Sequence, residues 1–281
     1  MIHTSKQLKD KVRNVSHGDN QTAQMLIRNF IMERFLERVS LSRYRNNFIL
    51  KGGMLVASLV GIDTRATMDI DSTLRALPLN EEDAVRIVNE IIRIHVEDGI
   101  SFEVVKAAEI MADFEHPGVR LVLEARLDRL KQRIKIDLST DDVITPSEIR
   151  YSYRLMFEDR NIELMTYTPE TLLAEKIQTI LARGITTTRM RDYYDVYEIV
   201  VGNKVSIDKE VLAEAFTATC MKRKTIFGSE QIEKIVNEIS ADEGLVNLWD
   251  LYKNDNFYVG DIKWTVVCET VCAYIRDNIS K

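Results

Sequence analysis

The chain has 281 residues, of which 45% are hydrophobic and 29% charged, so it can bury a sizeable core over one or two domains. It contains no apolar run of the roughly 18 residues that a membrane-spanning helix needs, and its start lacks the apolar core of a secretion signal. Three cysteines without metal-ligand spacing argue against a disulfide scaffold or a zinc site, so we expect a cytoplasmic protein without membrane contact.

The net charge of −6 is unevenly distributed along the chain. Residues 1–51 hold ten Lys or Arg against four Asp or Glu, a balance of +6, which leaves −12 for the remainder. A basic segment on an acidic body suggests contact with a polyanion such as RNA. A solvated helix face after a disordered start would give the same pattern.

The first third of the chain alternates between helical and strand-like patterns. Apolar residues at helical spacing predict a helix over 21–39, and a short apolar strand follows at Phe48. A helix-like segment then runs over 54–60, and a second short strand carries Asp69 and Asp71. Asn80 followed by three acidic residues predicts a capped helix that extends to about residue 97.

Two-residue alternation then predicts five strands, over 101–106, 119–127, 133–139, 151–157 and 161–167. Thr168 and Pro169 predict a helix start, as N-cap and first helical residue. Helices are expected over 169–183, 187–201, 208–220, 229–240, 244–253 and 262–279. The expected fold is α+β: a mixed sheet with flanking helices in residues 1–167, followed by an all-helical domain in residues 168–281.

Residues 48–75 contain the first candidate site. Side chains alternate along a strand, so Asp69 and Asp71 share a face, where two carboxylates can bind a hard cation such as Mg²⁺. Gly52 and Gly53 would let the backbone approach a phosphate at the start of a helix. A DxD triplet on a solvated strand face is the simpler alternative.

The strand over 133–139 offers a third carboxylate. Its apolar residues alternate with Lys135, Asp137 and Ser139, so burial of one face would leave Lys135 and Asp137 together on the other. Pairing beside the Asp69 strand would make Asp137 a partner in metal binding. An edge strand whose polar side chains merely face water is the alternative.

Lys176 lies within the apolar arc of its predicted helix, between Leu172 and Ile180 on a helical wheel. A lysine in that position either extends to solvent or meets a buried anion, for which a nucleotide phosphate is one candidate.

Asp192 and Asp195 lie three residues apart on the next helix, among arginines and tyrosines. A carboxylate there could act as a general base or hold a substrate hydroxyl, and the three tyrosines Tyr193, Tyr194 and Tyr197 could stack on a base. Pairing between arginine and aspartate within the helix is the alternative. The four histidines show no ligand spacing and lie apart from these segments, which disfavours a serine or cysteine hydrolase.

Taken together, these motifs resemble the AbiEii/AbiGii toxin family over roughly residues 20–200. The resemblance lies in their order along the chain: Lys51-Gly52-Gly53, Thr67-x-Asp69-x-Asp71, Lys135-x-Asp137, Lys176, and Arg191-Asp192. Two positions depart from the wider nucleotidyltransferase pattern, since Gly53 stands where Ser commonly follows the first glycine and Thr67 stands where relatives often have Ser.

The resemblance implies a nucleotidyltransferase-like sheet domain and a growth-inhibiting bacterial toxin of a type IV toxin–antitoxin or abortive-infection system. It implies transfer of a nucleotide from an NTP to an acceptor, most often the 3′ end of tRNA, with Mg²⁺ or Mn²⁺; GTP and a pyrimidine NTP are not distinguished. It also implies a DNA-binding antitoxin encoded alongside, which need not touch the toxin.

The same resemblance assigns roles to individual residues. It makes Asp69, Asp71 and Asp137 the metal-binding and catalytic carboxylates, with Lys176 and Asp192 as further catalytic residues. The nucleotide would be bound by Lys51, Gly52, Gly53, Thr67 and Lys176. Two other functions remain open on sequence: a metal-dependent nuclease using the same acids, and a nucleotide-binding interaction module without turnover.

Overall fold

A computed structural model describes residues 1–61, 65, 67–110, 118–202 and 204–279. It divides into two compact units. The first comprises Met1–Ser58, Ala66–Asp142 and Ile149–Thr166, and the second comprises Leu59–Arg65, Val143–Glu148 and Tyr167–Lys281.

The first unit is built on a seven-stranded mixed sheet in the order β3-β4-β5-β2-β1-β7-β6. Its strands are β1 (Phe48–Lys51), β2 (Asp69–Leu74), β3 (Ile100–Ile110), β4 (Gly118–Leu127), β5 (Leu130–Ser139), β6 (Ile149–Arg154) and β7 (Asn161–Thr166). β2 pairs with β5 in parallel, β1 pairs with β7 in parallel, and the other neighbours are antiparallel.

Helices flank this sheet, and the remaining helices follow it along the chain. They are α1 (Ser5–Ser16), α2 (Asn20–Leu41), α3 (Gly52–Val60), α4 (Glu81–Ile92), α5 (Pro169–Arg183), α6 (Met190–Gly202), α7 (Lys209–Lys222), α8 (Ser229–Ala241), α9 (Glu243–Asp255) and α10 (Trp264–Asn278). The expected α+β class, with a mixed sheet before a run of helices, is confirmed.

Local capping fixes two helix starts that the sequence predicted. The Asn80 side chain accepts a hydrogen bond from the Asp83 backbone N–H at 2.8 Å, and α4 begins at the next residue. The Thr168 hydroxyl accepts from the Thr171 N–H at 3.1 Å, with Pro169 as the first residue of α5. These bonds satisfy N–H groups that a helix start otherwise leaves unpaired.

Other boundaries differ from expectation. α4 ends at Ile92 rather than near residue 97, and β3 continues to Ile110 rather than ending near residue 106. The first residues form α1, whereas the sequence predicts no helix before residue 21 and allows a disordered start. A capping box formed by Thr4 and Gln7 starts this helix, and Leu8 and Val12 bury its apolar side.

α2 is buried on nearly all sides, which explains its mixture of apolar and charged residues. It contacts α1, α4, β5 and β7, and Phe35 packs edge-on against Phe48 with ring centroids 6.0 Å apart. Buried arginines lie among these apolar side chains: Arg38 makes a bidentate pair with Asp98 at 2.7 and 2.9 Å. Burial without such pairing would be strongly unfavourable.

Candidate active site

Four charged side chains form one row across the middle of the sheet. The strand register aligns Lys51 of β1 with Asp71 of β2, Asp71 with Asp137 of β5, and Asp137 with Arg120 of β4. Residues paired across neighbouring strands project from the same face. The row therefore places two carboxylates side by side between two cations.

Asp69 extends this face by one position along β2. It lies two residues before Asp71 and is aligned with the exposed Lys135 of β5. The intervening Ile70 and its partner Ile136 are fully buried on the other face. The predicted alternation is confirmed, and β5 is an interior strand, so the edge-strand alternative is wrong. We call Asp69, Asp71 and Asp137 the carboxylate face.

Gly52 brings the start of α3 against this face. Its φ of +66° lies in the left-handed region, and a Cβ built on it would stand 2.2 Å from Oδ2 of Asp71. A side chain here is excluded by both backbone conformation and contact. Gly53 is the second residue of α3 and is buried. Glycine at position 52 is thus what lets a helix start and a carboxylate meet.

Lys51 and Thr67 each have side-chain contacts that fix their positions. Lys51 Nζ donates to Ser139 Oγ at 2.7 Å and forms an ion pair with Asp142. Although burial by itself raises the pKa of Asp142, the Lys51 ammonium and its hydrogen bonds hold that pKa below its usual value. The Thr67 hydroxyl donates to the Asp69 carbonyl at 3.2 Å, where it braces the beginning of β2.

Asp69 and Asp137 differ in how they are satisfied. Oδ1 of Asp69 is buried and has no hydrogen-bond partner among the described residues. Asp137 receives both arms of the Arg120 guanidinium, with Nε 2.7 Å from Oδ1 and Nη2 2.6 Å from Oδ2. Asp137 is therefore paired with a cation, whereas Oδ1 of Asp69 has no such partner among the described residues.

Metal binding can be tested against these observations. Carboxylate oxygens are the ligands that Mg²⁺ prefers, and an unpartnered buried oxygen such as Oδ1 of Asp69 is consistent with a missing ligand. Within the described part of the chain, however, no three His, Cys, Asp or Glu side chains are positioned together to hold a metal ion. The chemistry of the donor set fits Mg²⁺, while the third carboxylate is engaged by Arg120.

A second ionic cluster lies in the second unit, between α5 and α6. Lys176 is 8% exposed, and its Nζ lies 2.6 Å from Oδ2 of Asp195 and 3.4 Å from Oδ1 of Asp192. Of the two alternatives that the sequence left open for Lys176, contact with a buried anion is the one observed, and the anions are these two carboxylates. Its role in binding a nucleotide phosphate stays a prediction. Arg189 also contacts Asp192, at 2.6 Å.

Arg65 completes this cluster from a segment distant in sequence. Its Nε donates to Oδ1 of Asp195 at 2.5 Å, and its guanidinium lies 5.8 Å from the centroid of the Tyr258 ring. We call Arg65, Lys176, Arg189, Asp192 and Asp195 the α5–α6 cluster.

The α5–α6 cluster keeps its two carboxylates ionised. Burial alone would raise the pKa of Asp195, but the charges of Arg65 and Lys176 outweigh it and lower that pKa. Burial alone would likewise raise the pKa of Asp192, but the charges of Lys176 and Arg189 outweigh it and lower that pKa. Asp192 is consequently a weak base in this state, suited to holding a group rather than abstracting a proton.

The expectation that tyrosines of α6 stack on a base is wrong for Tyr193 and Tyr194, and for the half-buried Tyr197 it stays a prediction. Both are buried, with Tyr193 packed against Trp264 at a centroid distance of 5.0 Å and Tyr194 against Tyr258 at 5.5 Å. They are core residues because their helix is covered by the segments that carry these aromatic rings.

The basic N-terminal segment is only partly available to a polyanion. Arg34 and Arg38 are buried in ion pairs, and Lys51 pairs with Asp142. The exposed cations of α1 are Lys6, Lys9, Lys11 and Arg13. The surface that could meet RNA is therefore smaller than the count of basic residues suggested.

Three contacts of these clusters were not predicted from the sequence. Arg120 stands between buried residues of β4, as an alternation pattern allows, but its partner depends on strand register. Arg65 lies 130 residues from Asp195, and Asp142 lies 91 residues from Lys51. Such pairings carry no local signal.

A protein-family model matches most of this chain. The family model for the nucleotidyl transferase AbiEii toxin of type IV toxin–antitoxin systems matches residues 34–264. Comparison with curated proteins gives no match. No helix in the described ranges is long and apolar enough to cross a membrane.

Solved structures share the fold at low sequence identity. The crystal structure of JHP933 from Helicobacter pylori aligns with a TM-score of 0.53 and 14% identity, over 90% of this chain and 92% of that one. A candidate nucleotidyltransferase from H. pylori aligns with a TM-score of 0.51 and 13% identity, over 90% and 95%. With the family model spanning both clusters, the chain belongs to the AbiEii family of nucleotidyltransferase toxins from type IV toxin–antitoxin systems.

Proposed function

We propose that this protein transfers a nucleotide from an NTP, with Mg²⁺, to the 3′ end of tRNA or another RNA, and thereby arrests growth and aborts phage infection. The observation that carries the proposal is the carboxylate face, where Asp69, Asp71 and Asp137 project together from two parallel neighbouring strands. Acids on adjacent strands suit phosphoryl chemistry, which depends mainly on positioning and charge neutralisation.

The carboxylate face would act through Asp69 and Asp71 as ligands of Mg²⁺, and Asp137 would bring the acceptor oxygen toward the α-phosphate. The metal supplies Lewis-acid polarisation and charge neutralisation of the triphosphate. Mn²⁺ is expected to substitute, since both ions accept carboxylate oxygens. The unpartnered Oδ1 of Asp69 supports this assignment.

The residues around α3 would bind the phosphates. Gly52 and Gly53 offer backbone N–H groups at a helix start, which attract anions. Lys51 is adjacent in the same row, and Thr67 holds the strand that carries Asp69. With Gly53 in place of a serine, backbone rather than hydroxyl groups would make these contacts.

Lys176 and Asp192 are proposed to bind phosphate and to orient the acceptor, respectively. Three cations face two carboxylates in the α5–α6 cluster, so its formal charge is +1, which favours a nearby anion. The lowered pKa of Asp192 supports orientation rather than proton abstraction. The exposed cations of α1 are proposed to contact RNA.

The partner expected from the family is an antitoxin encoded alongside, and direct contact with it is not required by this proposal. GTP and the pyrimidine NTPs are treated alike as substrates. The test below therefore uses each nucleotide separately.

The test is incubation of the purified protein with Mg²⁺, total RNA and each α-³²P-labelled NTP in turn. We expect label in a discrete RNA band with the wild type and a loss of about a thousandfold or more in Asp69→Asn, because removing a metal ligand removes transition-state stabilisation. Glu103→Gln is the matched control, since it neutralises an exposed carboxylate on β3 of the same sheet.

Each alternative function gives a different result in this assay. RNA shortened without any NTP would replace the proposal with a nuclease. Intact, unlabelled RNA together with arrested cells would replace it with a binding module. Equal labelling by wild type and Asp69→Asn would refute the assigned site while keeping the activity.

A further inference from the structure

Arg120 forms a bidentate ion pair with Asp137, which is one of the three aspartates of the carboxylate face. Both contacts are short, at 2.6 and 2.7 Å, and the two residues are directly paired across β4 and β5. The Arg120 side chain is 40% exposed, whereas Asp137 is 17% exposed. Arg120 can therefore leave the pair toward solvent without disturbing the core.

The pair opposes a divalent cation at Asp137 by charge more than by geometry. A carboxylate that accepts a bidentate arginine still has lone pairs, but a dication there would stand beside a positive guanidinium. A partly exposed pair contributes about 1 kcal/mol or less, so a cation that gains several carboxylate ligands can displace it.

Arg120 also lies in the field of the other two acids. The strand register places Asp71 directly beside Asp137, and Asp69 lies two residues before Asp71 on the same face, so both carboxylates attract the Arg120 guanidinium. An arginine so placed stays near the carboxylate face after it releases Asp137. Its planar fork matches phosphate oxygens as well as it matches a carboxylate.

We propose that Arg120 is an exchangeable counter-ion: it holds Asp137 in the metal-free protein, yields this carboxylate when a divalent cation binds, and then binds the phosphates of the nucleotide. Resting on the proposed metal site, this inference adds Arg120 as a nucleotide-positioning residue. It also accounts for the absence of three converging carboxylates among the described residues.

The first test is Mn²⁺ binding in the absence of nucleotide, followed by the electron paramagnetic resonance signal of the free ion. We expect Arg120→Gln to bind Mn²⁺ about three- to fivefold more tightly than the wild type, the range that a pair worth up to about 1 kcal/mol allows. Arg126→Gln is the matched control, because it removes the same charge from the same strand, where Arg126 pairs with Glu124 instead.

A double-mutant cycle shows whether the effect passes through Asp137. In an Asp137→Asn background, Arg120→Gln should change Mn²⁺ affinity less than about twofold, because the pair that it breaks is already lost. If Arg120→Gln increases the Mn²⁺ affinity of the Asp137→Asn protein as much as that of the wild type, the inference is overturned. The effect would then come from the loss of a positive charge and not from the pair with Asp137.

The second test is binding of tripolyphosphate in the presence of Mg²⁺, measured by calorimetry. We expect Arg120→Gln to weaken this binding about tenfold, the opposite sign to its effect on Mn²⁺. Arg120→Lys keeps the charge but loses the planar guanidinium, so its affinity for tripolyphosphate should lie between those of the wild type and Arg120→Gln. The same variant replaces Arg120→Gln in the test if Arg120→Gln fails to fold. Weaker Mn²⁺ binding, or unchanged tripolyphosphate binding, in these variants would overturn the inference.

Failure of the underlying proposal has its own signature. If the wild type and Asp69→Asn bind Mn²⁺ with the same affinity, the metal site and this inference are both overturned. Binding that depends on Asp69 but is unaffected by Arg120→Gln would overturn the role of Arg120 alone.

Discussion

The carboxylate face and the α5–α6 cluster both collect aspartates, yet their charges are balanced in different ways. In the α5–α6 cluster, Asp195 is fully buried and contacts two cations, Arg65 and Lys176. On the carboxylate face, Asp69 has a buried oxygen with no hydrogen-bond partner among the described residues. Asp195 is therefore paired with cations within the described structure, whereas this oxygen of Asp69 has no partner there.

This difference predicts that the two clusters respond oppositely to neutralisation. Removing one partner from a complete buried network leaves the others uncompensated, which costs stability. Removing a charge from a set of like charges without full partners costs function but little stability. The predictions below measure how far that distinction holds.

The largest loss of stability is expected for Asp195→Asn. Arg65 and Lys176 would lose a shared buried counter-ion, so we expect the free energy of unfolding to fall by about 3–5 kcal/mol. Urea denaturation followed by circular dichroism measures it. Glu90→Gln, which neutralises the partner of exposed Arg43, is the control and should cost less than about 1 kcal/mol. Equal losses in the two variants would mean that burial does not set the cost.

Glu33 sharpens the comparison, because it is as buried as Asp195 but contacts only neutral donors. The Met156 N–H donates to its carboxylate at 3.1 Å, and Asn29 Nδ2 donates at 3.2 Å. Burial is the dominant cause that raises the pKa of Glu33 to about 8 from 4.5, although these donors and the nearby Arg34 oppose it. Direct contact with a cation thus decides the direction of the shift.

A raised folded-state pKa fixes the sign of the pH dependence. The contribution of Glu33 to stability is fully present below pH 4.5 and is lost as the pH rises through about 8. We expect the free energy of unfolding to decline by roughly 4 kcal/mol over this range from Glu33 alone, and Glu33→Gln to remove that decline. The free energy of unfolding of the wild type and of Glu33→Gln is measured by urea denaturation from pH 5 to pH 9. The same pH dependence in both proteins would contradict a raised pKa for Glu33.

Gly52→Ala should have an intermediate effect, by acting on the carboxylate face through the backbone. The new Cβ would meet Oδ2 of Asp71 at 2.2 Å in a left-handed conformation, so we expect a loss of about 1–3 kcal/mol. Thermal unfolding measures the change. Gly202→Ala is the control, since its nearest contact lies at 4.0 Å and its φ is ordinary. A loss no larger than that of the control would show that Asp71 moves aside freely.

The smallest effect on stability is expected for Asp69→Asn, which also abolishes activity under the proposed function. Its Oδ1 gives up no hydrogen bond within the described structure, so the free energy of unfolding should stay within about 0.5 kcal/mol of the wild type. Urea denaturation provides the measurement. A loss comparable to that of Asp195→Asn would mean that Asp69 is a structural residue and would remove the contrast between the clusters.

Local sequence patterns predicted much of the fold. Alternation in β5 placed Lys135 and Asp137 together on one face, and Thr168 with Pro169 marked the start of α5. The position of Lys176 within an apolar arc allowed either extension to solvent or contact with a buried anion, and the structure shows the second. Each of these features depends on residues only a few positions apart, where strand or helix periodicity fixes direction. The individual roles of the site residues stay predictions that the assays above test.

What the tertiary structure alone decided is which charges meet. The parallel register of β2 and β5 set Asp71 beside Asp137, and the register of β4 gave Asp137 to Arg120. Packing buried Arg34 and Arg38 of α2, which composition had counted as a basic surface, and brought Arg65 to Asp195. The face on which each charge lies follows from the period of its strand or helix, so the sequence by itself determines it. The partner that a charge meets is set by strand pairing and burial, because electrostatic attraction between distant residues leaves no periodic pattern in the sequence.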